Sequence, residues 1–299
     1  MLRVSLPTVP FRWALLAILL APCVSFRATA QDKPYFVTYS HDLEEPGDME
    51  IETKSAFARP ERGHHFAAQA TEIEYGVRAW WTTELYLDSQ ATANDSSLYT
   101  GFRLENRIRP LMKEYIVNPV LYVEFENISG ADKNMLEIVG HDGETDLVES
   151  NATSRLEHKH EGELKLILSS NARDWNISEN FIAEKNFGHA PWEFGYALGA
   201  THPLRSASSG QECIFCADKF MLGMELYGGL GDTWQLSLRD TSHYVAPLFG
   251  WSLPARFRLS FSPGFGITGS SMDQVYRVGL AREFEDVGKM FRGRKGGLR

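Results

Sequence analysis

The stretch VLYVEFEN, Val120 to Asn127, places Leu121, Val123 and Phe125 on one face of an extended strand and Tyr122, Glu124 and Glu126 on the other, because successive strand side chains point to opposite sides. Two kinds of protein use such a strand. In a water-soluble sheet the apolar face packs on a core and the glutamates meet solvent. In a membrane-spanning barrel the roles are exchanged: the apolar face meets lipid and the glutamates line a wet interior.

The same alternation recurs along the chain in EIEYGV (72–77), TELYLD (83–88), GFRLENRI (101–108), ELKLIL (163–168), WEFGYALGA (192–200), FMLGMEL (220–226), ARFRLSF (255–261) and VYRVGLAREF (275–284). About twelve such segments are expected, twelve or fourteen being compatible with the pattern, separated by Gly, Pro, Asn or Asp clusters. Opposite the apolar set lie Glu72, Glu74, Glu84, Arg103, Glu105, Arg107, Glu124, Glu126, Glu163, Lys165, Glu193, Glu225, Arg256, Arg258 and Arg277. In a barrel these are the candidate lumen-lining residues. Closure is expected to bring Arg277 near Glu50 and Glu52.

Alternation alone fits a solvated sandwich equally well, so other features have to decide. Trp80, Trp81, Trp175 and Trp251 fall beside one set of connections and Trp192 beside the other, and amphipathic aromatics belong at the two bilayer interfaces. Connections near 78–81, 110–116, 170–174 and 253–255 are short, while those near 128–157 and 230–241 are long, as barrels with short periplasmic turns and long external loops require. The connection at 203–219 does not fit this rule.

The 299-residue chain carries a formal charge of −9, is 23% charged and 43% hydrophobic, and so is a folded protein with no general affinity for nucleic acid. Arg3 and Arg12 precede the apolar run WALLAILLA, and Ala28-Thr29-Ala30 offers small residues where a signal peptidase reads. The expected organisation is a signal peptide at 1–30, an N-terminal segment at 31–47 in the periplasm or the lumen, a barrel at 48–284 and a basic tail at 285–299.

EIEYGVRAWW, GFGITG and YRVGLAREF resemble Gram-negative outer-membrane β-barrels, most closely the porin-like barrels found with meta-cleavage phenol-degradation genes. The resemblance implies an all-β, antiparallel up-and-down barrel acting as a narrow channel or uptake route for small polar solutes. It also implies outer-membrane lipid and the barrel-assembly machinery as partners, the latter through the C-terminal strand.

Cys213 and Cys216 sit in an exported segment and are expected to form a local disulfide; neither a haem motif nor a zinc ligand set accompanies them. His64-His65, His141 and the pair His158 and His160 lack convincing metal-ligand spacing, so no metal or cofactor is expected. A barrel-wall lipid hydrolase or deacylase is the rival class, with Ser242-His243 near Asp240 supplying residue types but not a shared strand face. A soluble exported binding domain or adhesin is the third. The connection 128–158 is expected to fold over or into the lumen, with Met135, Leu136, Ile138 and Val139 at helix-like spacing.

Overall fold

The computed structural model describes residues 33–60, 63–134, 139–140, 149–206 and 213–288. Twelve antiparallel strands form one closed barrel: β1 (Met49–Ala58), β2 (Phe66–Arg78), β3 (Trp81–Thr92), β4 (Ser97–Ile108), β5 (Asn118–Ser129), β6 (His158–Ala172), β7 (Trp175–Asn186), β8 (Trp192–Pro203), β9 (Phe220–Asp232), β10 (His243–Leu253), β11 (Phe257–Gly266) and β12 (Gln274–Phe284). Each strand pairs with its neighbours in the chain, and β12 returns to β1 with Met49 opposite Phe284. The closed sheet leaves no backbone edge to satisfy, the condition for crossing a bilayer with strands.

The alternation in VLYVEFEN resolves in the inverted sense. Leu121, Val123 and Phe125 of β5 are exposed, whereas Val120, Tyr122, Glu124 and Glu126 are buried inside the barrel. Leu85, Leu104, Leu164, Leu166, Phe181, Leu222, Met224 and Leu280 continue the exposed apolar belt around the wall. A water-soluble protein does not present so large a continuous apolar surface. The chain is therefore a transmembrane β-barrel, and the soluble-sheet alternative falls.

The start of β1, the end of β12 and the tight turns at 173–174 and 254–256 share one end, assigned to the periplasm by its short connections. At the β6–β7 turn Arg173 and Asp174 both adopt positive φ, the geometry a two-residue hairpin needs to match strand twist. Trp80 and Trp81 stack at this end with centroids 6.1 Å apart, while Trp192 lies at the other.

The interior is neither an open pore nor an apolar core. Residues 33–48 run inside the periplasmic half of the lumen, with Tyr35, Phe36, Val37, Thr38, Ser40 and His41 all buried. The barrel makes room for them with small inward-facing residues on β8 to β12. A Cβ at Gly199 would meet the Tyr35 ring at 2.5 Å, and one at Gly250 would meet Pro34 at 2.8 Å.

Leu166 faces outward near the middle of β6. Leu166→Arg should cost about 2–4 kcal/mol, the price of a charge at the bilayer midplane, in reversible urea unfolding from lipid vesicles. Lys113→Arg in the β4–β5 turn should change stability by less than about 0.5 kcal/mol. Equal stability of the two variants would contradict the face assignment.

Candidate functional site

Strand register turns scattered glutamates into a row. Glu283 on β12 pairs with Glu50 on β1, and the chain of direct partners continues through Glu74, Glu84, Glu105, Glu124, Glu163, Glu184 and Glu193 to Asp232 on β9. Glu283 lies one residue from the periplasmic end of β12, and Asp232 is the last residue at the external end of β9. The row therefore climbs the inner wall from one mouth toward the other.

Directly opposed like charges destabilise a sheet, and the flanking rungs supply the compensation. Periplasmic to the row, Thr82, Arg107, Tyr122 and Lys165 are themselves successive partners. The Arg107 guanidinium contacts Glu74, Glu84 and Glu105. Lys165 reaches Glu163 at 2.7 Å and lies over the Tyr122 ring at 4.1 Å. Tyr122 donates to Glu124 at 3.0 Å, and Tyr86 donates to Glu84 at 2.9 Å. On the external side Arg103 grips Asp88 with two bonds of 2.9 and 3.2 Å.

At the seam the expected pairing is corrected. Arg277 does not approach Glu50 and Glu52; it is opposite Ala56 and donates to the Tyr227 hydroxyl across the lumen. Arg258 takes the glutamates instead, at 2.8 Å from Glu50 and 3.3 Å from Glu52. The register explains the exchange. Glu52 and Arg258 are both partners of Ala281, whose short side chain lets the guanidinium pass over it.

Arg256 is also corrected: it does not line the lumen. It lies on the 254–256 turn, 45% exposed, and pairs with Glu283 and Glu285 at the rim, because the turn breaks the alternation read back from β11. Glu72 pairs with Lys54 at 2.7 Å. Glu126 is buried opposite Arg103, and Glu193 sits at the external end beside Gly140. Lys54, Asp88, Glu161 and Glu184 join the interior, and alternation within their own strands was the signal for them.

Glu225 stands apart on β9. Its carboxylate accepts the backbone amides of Phe36, Val37 and Thr38 at 3.3, 2.9 and 2.7 Å. One residue on, Tyr39 donates its amide to Asn180 Oδ1 at 2.6 Å and accepts from Asn180 Nδ2 at 2.9 Å. The lumenal segment is thus held by its backbone, much as an extra strand would be. His41 binds Ser169 Oγ and Glu114, each at 2.8 Å. These residue types suit hydrolysis, but Ser169 is sealed from solvent and shares its hydroxyl with Ser178 at 2.8 Å, so the set anchors the segment.

The described residues of the β5–β6 connection fold into the external mouth. Ala131, Lys133 and Asn151 are buried, Asn134 donates to Asp88 at 3.1 Å, and Gln90 donates to Asn151 at 2.6 Å. Val139 is buried; Met135, Leu136 and Ile138 lie outside the described residues, and with them the expected helical face. Burial, reinforced by the Asp88 charge, pushes the Asp132 carboxyl up to about 6.

The remaining motifs are quiet. Cys213 and Cys216 are joined by a disulfide across a Cα separation of 5.4 Å, and Trp251 Nε1 donates to Ile214 O at 2.9 Å within the same loop. His160 stacks on Phe125, their ring centroids 6.4 Å apart. Ser242 donates to Ser270 O at 2.7 Å, His243 binds Tyr196 and Thr241, and Asp240 accepts from Ser237, so these three residues form no relay.

Two outcomes are expected. Glu225→Gln weakens charge-assisted bonds worth about 1.5–3 kcal/mol, so hydrogen exchange at the Val37 and Thr38 amides should rise roughly tenfold or more. For Asp132, the native state binds the proton more tightly than the unfolded chain, so its stability contribution is lost as pH rises through about 6 and regained below it. Asp88, Arg103, Thr100 and Asn134 are the groups facing it. The ratio of wild-type to Asp132→Asn nicking by protease within 130–157 should therefore grow from pH 5 to pH 7.5.

No protein-family model matches the chain, and no curated protein matches it. Solved structures are similar at the level of the barrel. An outer-membrane channel from Pseudomonas putida F1 is 11% identical with a TM-score of 0.49, covering 82% of this chain and 98% of its own. A KdgM porin in complex with disordered oligogalacturonate is 6% identical with a TM-score of 0.45, over 80% of this chain and 99% of that one. The NanC porin is 9% identical with a TM-score of 0.43, over 78% and 98%.

Proposed function

We propose that the protein is an outer-membrane channel or uptake route for small polar solutes, kept shut from the periplasmic side by its own residues 33–48. The observation that carries this reading is the division of the lumen. One wall, β8 to β12, is hollowed by Ala197, Gly199, Gly250 and Gly279, and the space is filled by a segment from outside the sheet rather than by the wall's own side chains. A barrel closed permanently could fill itself with larger side chains, as eight-stranded barrels do. Filling by a tethered strap leaves a pore behind when the strap moves.

Acidic side chains outnumber basic ones on the inner wall, so the emptied lumen should prefer cations. The test is planar-bilayer conductance of the refolded barrel with residues 34–46 deleted. Conductance should rise severalfold over the intact chain, with a reversal potential indicating cation preference that weakens as salt screens the wall. A correctly folded deletion variant conducting no more than the intact protein would overturn the reading.

A further inference from the structure

The outward face of β12 reads Tyr276, Val278, Leu280, Arg282 and Phe284, an apolar series with one cation in it. Arg282 belongs to the lipid-facing set. It is exposed while Ala281 beside it is buried, and its direct partners are Ile51 on β1 and Phe257 on β11, both apolar. Phe257 in turn pairs with Leu253 on β10, and Trp251 is the next outward residue of that strand. Arg282 therefore stands at the periplasmic aromatic girdle, where arginine on the lipid face costs far less than at the midplane.

The guanidinium lies over the Phe257 ring at 4.9 Å and the Phe284 ring at 4.8 Å. The two rings attract its charge and fix it against the wall, but they offer no oxygen to its fork of N–H donors. Among the described residues no carboxylate pairs with Arg282; Glu283 and Glu285, the acidic groups that follow it in sequence, are both taken by Arg256. A leucine at 282 would continue the apolar series and pack on both rings. What a guanidinium adds is a planar pair of donors that matches two oxygens of a phosphate.

We propose that Arg282 holds the phosphate of one phospholipid of the periplasmic leaflet, with Phe257 and Phe284 positioning the guanidinium. Toward the middle of the membrane the site continues into an apolar runway of paired outward residues, Leu280 with Leu259 and Val278 with Phe261, against which the acyl chains lie. A charged head position below an apolar wall is the outline of a phospholipid rather than of a free anion. The inference goes beyond the channel reading and does not depend on it, because it concerns the outside of the barrel.

The experiment uses the full refolded barrel, delipidated in dodecyl maltoside, titrated with phosphatidylglycerol and followed by native mass spectrometry. One lipid per chain should bind ahead of the rest. Arg282→Leu should weaken that first binding at least tenfold, and since it restores the apolar series it should fold at least as readily as the wild type. Phe257→Leu should weaken it severalfold, whereas Arg239→Leu in the β9–β10 connection should leave it unchanged. Diacylglycerol with the same acyl chains should not compete, which shows that the phosphate is read, and inorganic phosphate should not displace the lipid, which shows that the chains are needed. First binding unchanged in Arg282→Leu, or diacylglycerol binding as tightly as phosphatidylglycerol, or inorganic phosphate displacing the lipid at equal concentration, would each overturn the proposal, and none of these outcomes depends on whether the barrel conducts.

Discussion

Arg107 on three glutamates is the contact on which the interior depends. Glu74, Glu84 and Glu105 come from three adjacent strands and are direct register partners, so each would repel the next if left alone. A single guanidinium one rung away meets all three, and its planar fork of donors lets it do so where an ammonium would serve as one point charge. The same guanidinium donates to the Asp42 carbonyl at 3.3 Å and lies 5.5 Å from the Tyr39 ring. One side chain therefore ties the repelling wall to the segment that fills the lumen. Removing a partner from a buried charge cluster is far costlier than never having built it.

The opposite wall follows a different logic. Apart from Glu225, Arg258 and Arg277, and the ends of the carboxylate row at Glu193, Asp232 and Glu283, β8 to β12 offer mostly small or uncharged inward residues. The segment is received there by shape and by its backbone amides on the Glu225 carboxylate rather than by ion pairs. Charge on one side and vacancy on the other produce an asymmetric lumen, and residues 33–48 lie where the two meet.

Much of this was legible in the sequence. Period-two alternation in VLYVEFEN and its counterparts decides which residues face inward, and the apolar set Leu121, Val123 and Phe125 together with the tryptophan placement points to lipid outside. What alternation does not contain is register. Arg277 and Arg258 have the same parity on adjacent strands, and only the pairing of Ala281 with both Glu52 and Arg258 shows which arginine meets the seam glutamates. The carboxylate row needs nine such pairings in succession, any of which a shift would break. Arg256 shows the limit from another side, since alternation carries no warning that a turn has begun. The sequence left the N-terminal segment between the periplasm and the lumen, because a strap that pairs its backbone with side chains has no periodicity of its own. Its trace lay in the wall, in Gly199 and Gly250.

The position of that segment in the chain also constrains assembly. Residues 33–48 lead directly into β1, and β1 is the strand that seals the barrel against β12, the last strand made. Because the strap leaves the sheet at the start of β1, it enters the lumen at the periplasmic mouth beside that seam, whether before or after β1 has zipped to β12. A chain that shut with the strap outside would hold its hollowed wall empty, with Glu225 facing water instead of three amides.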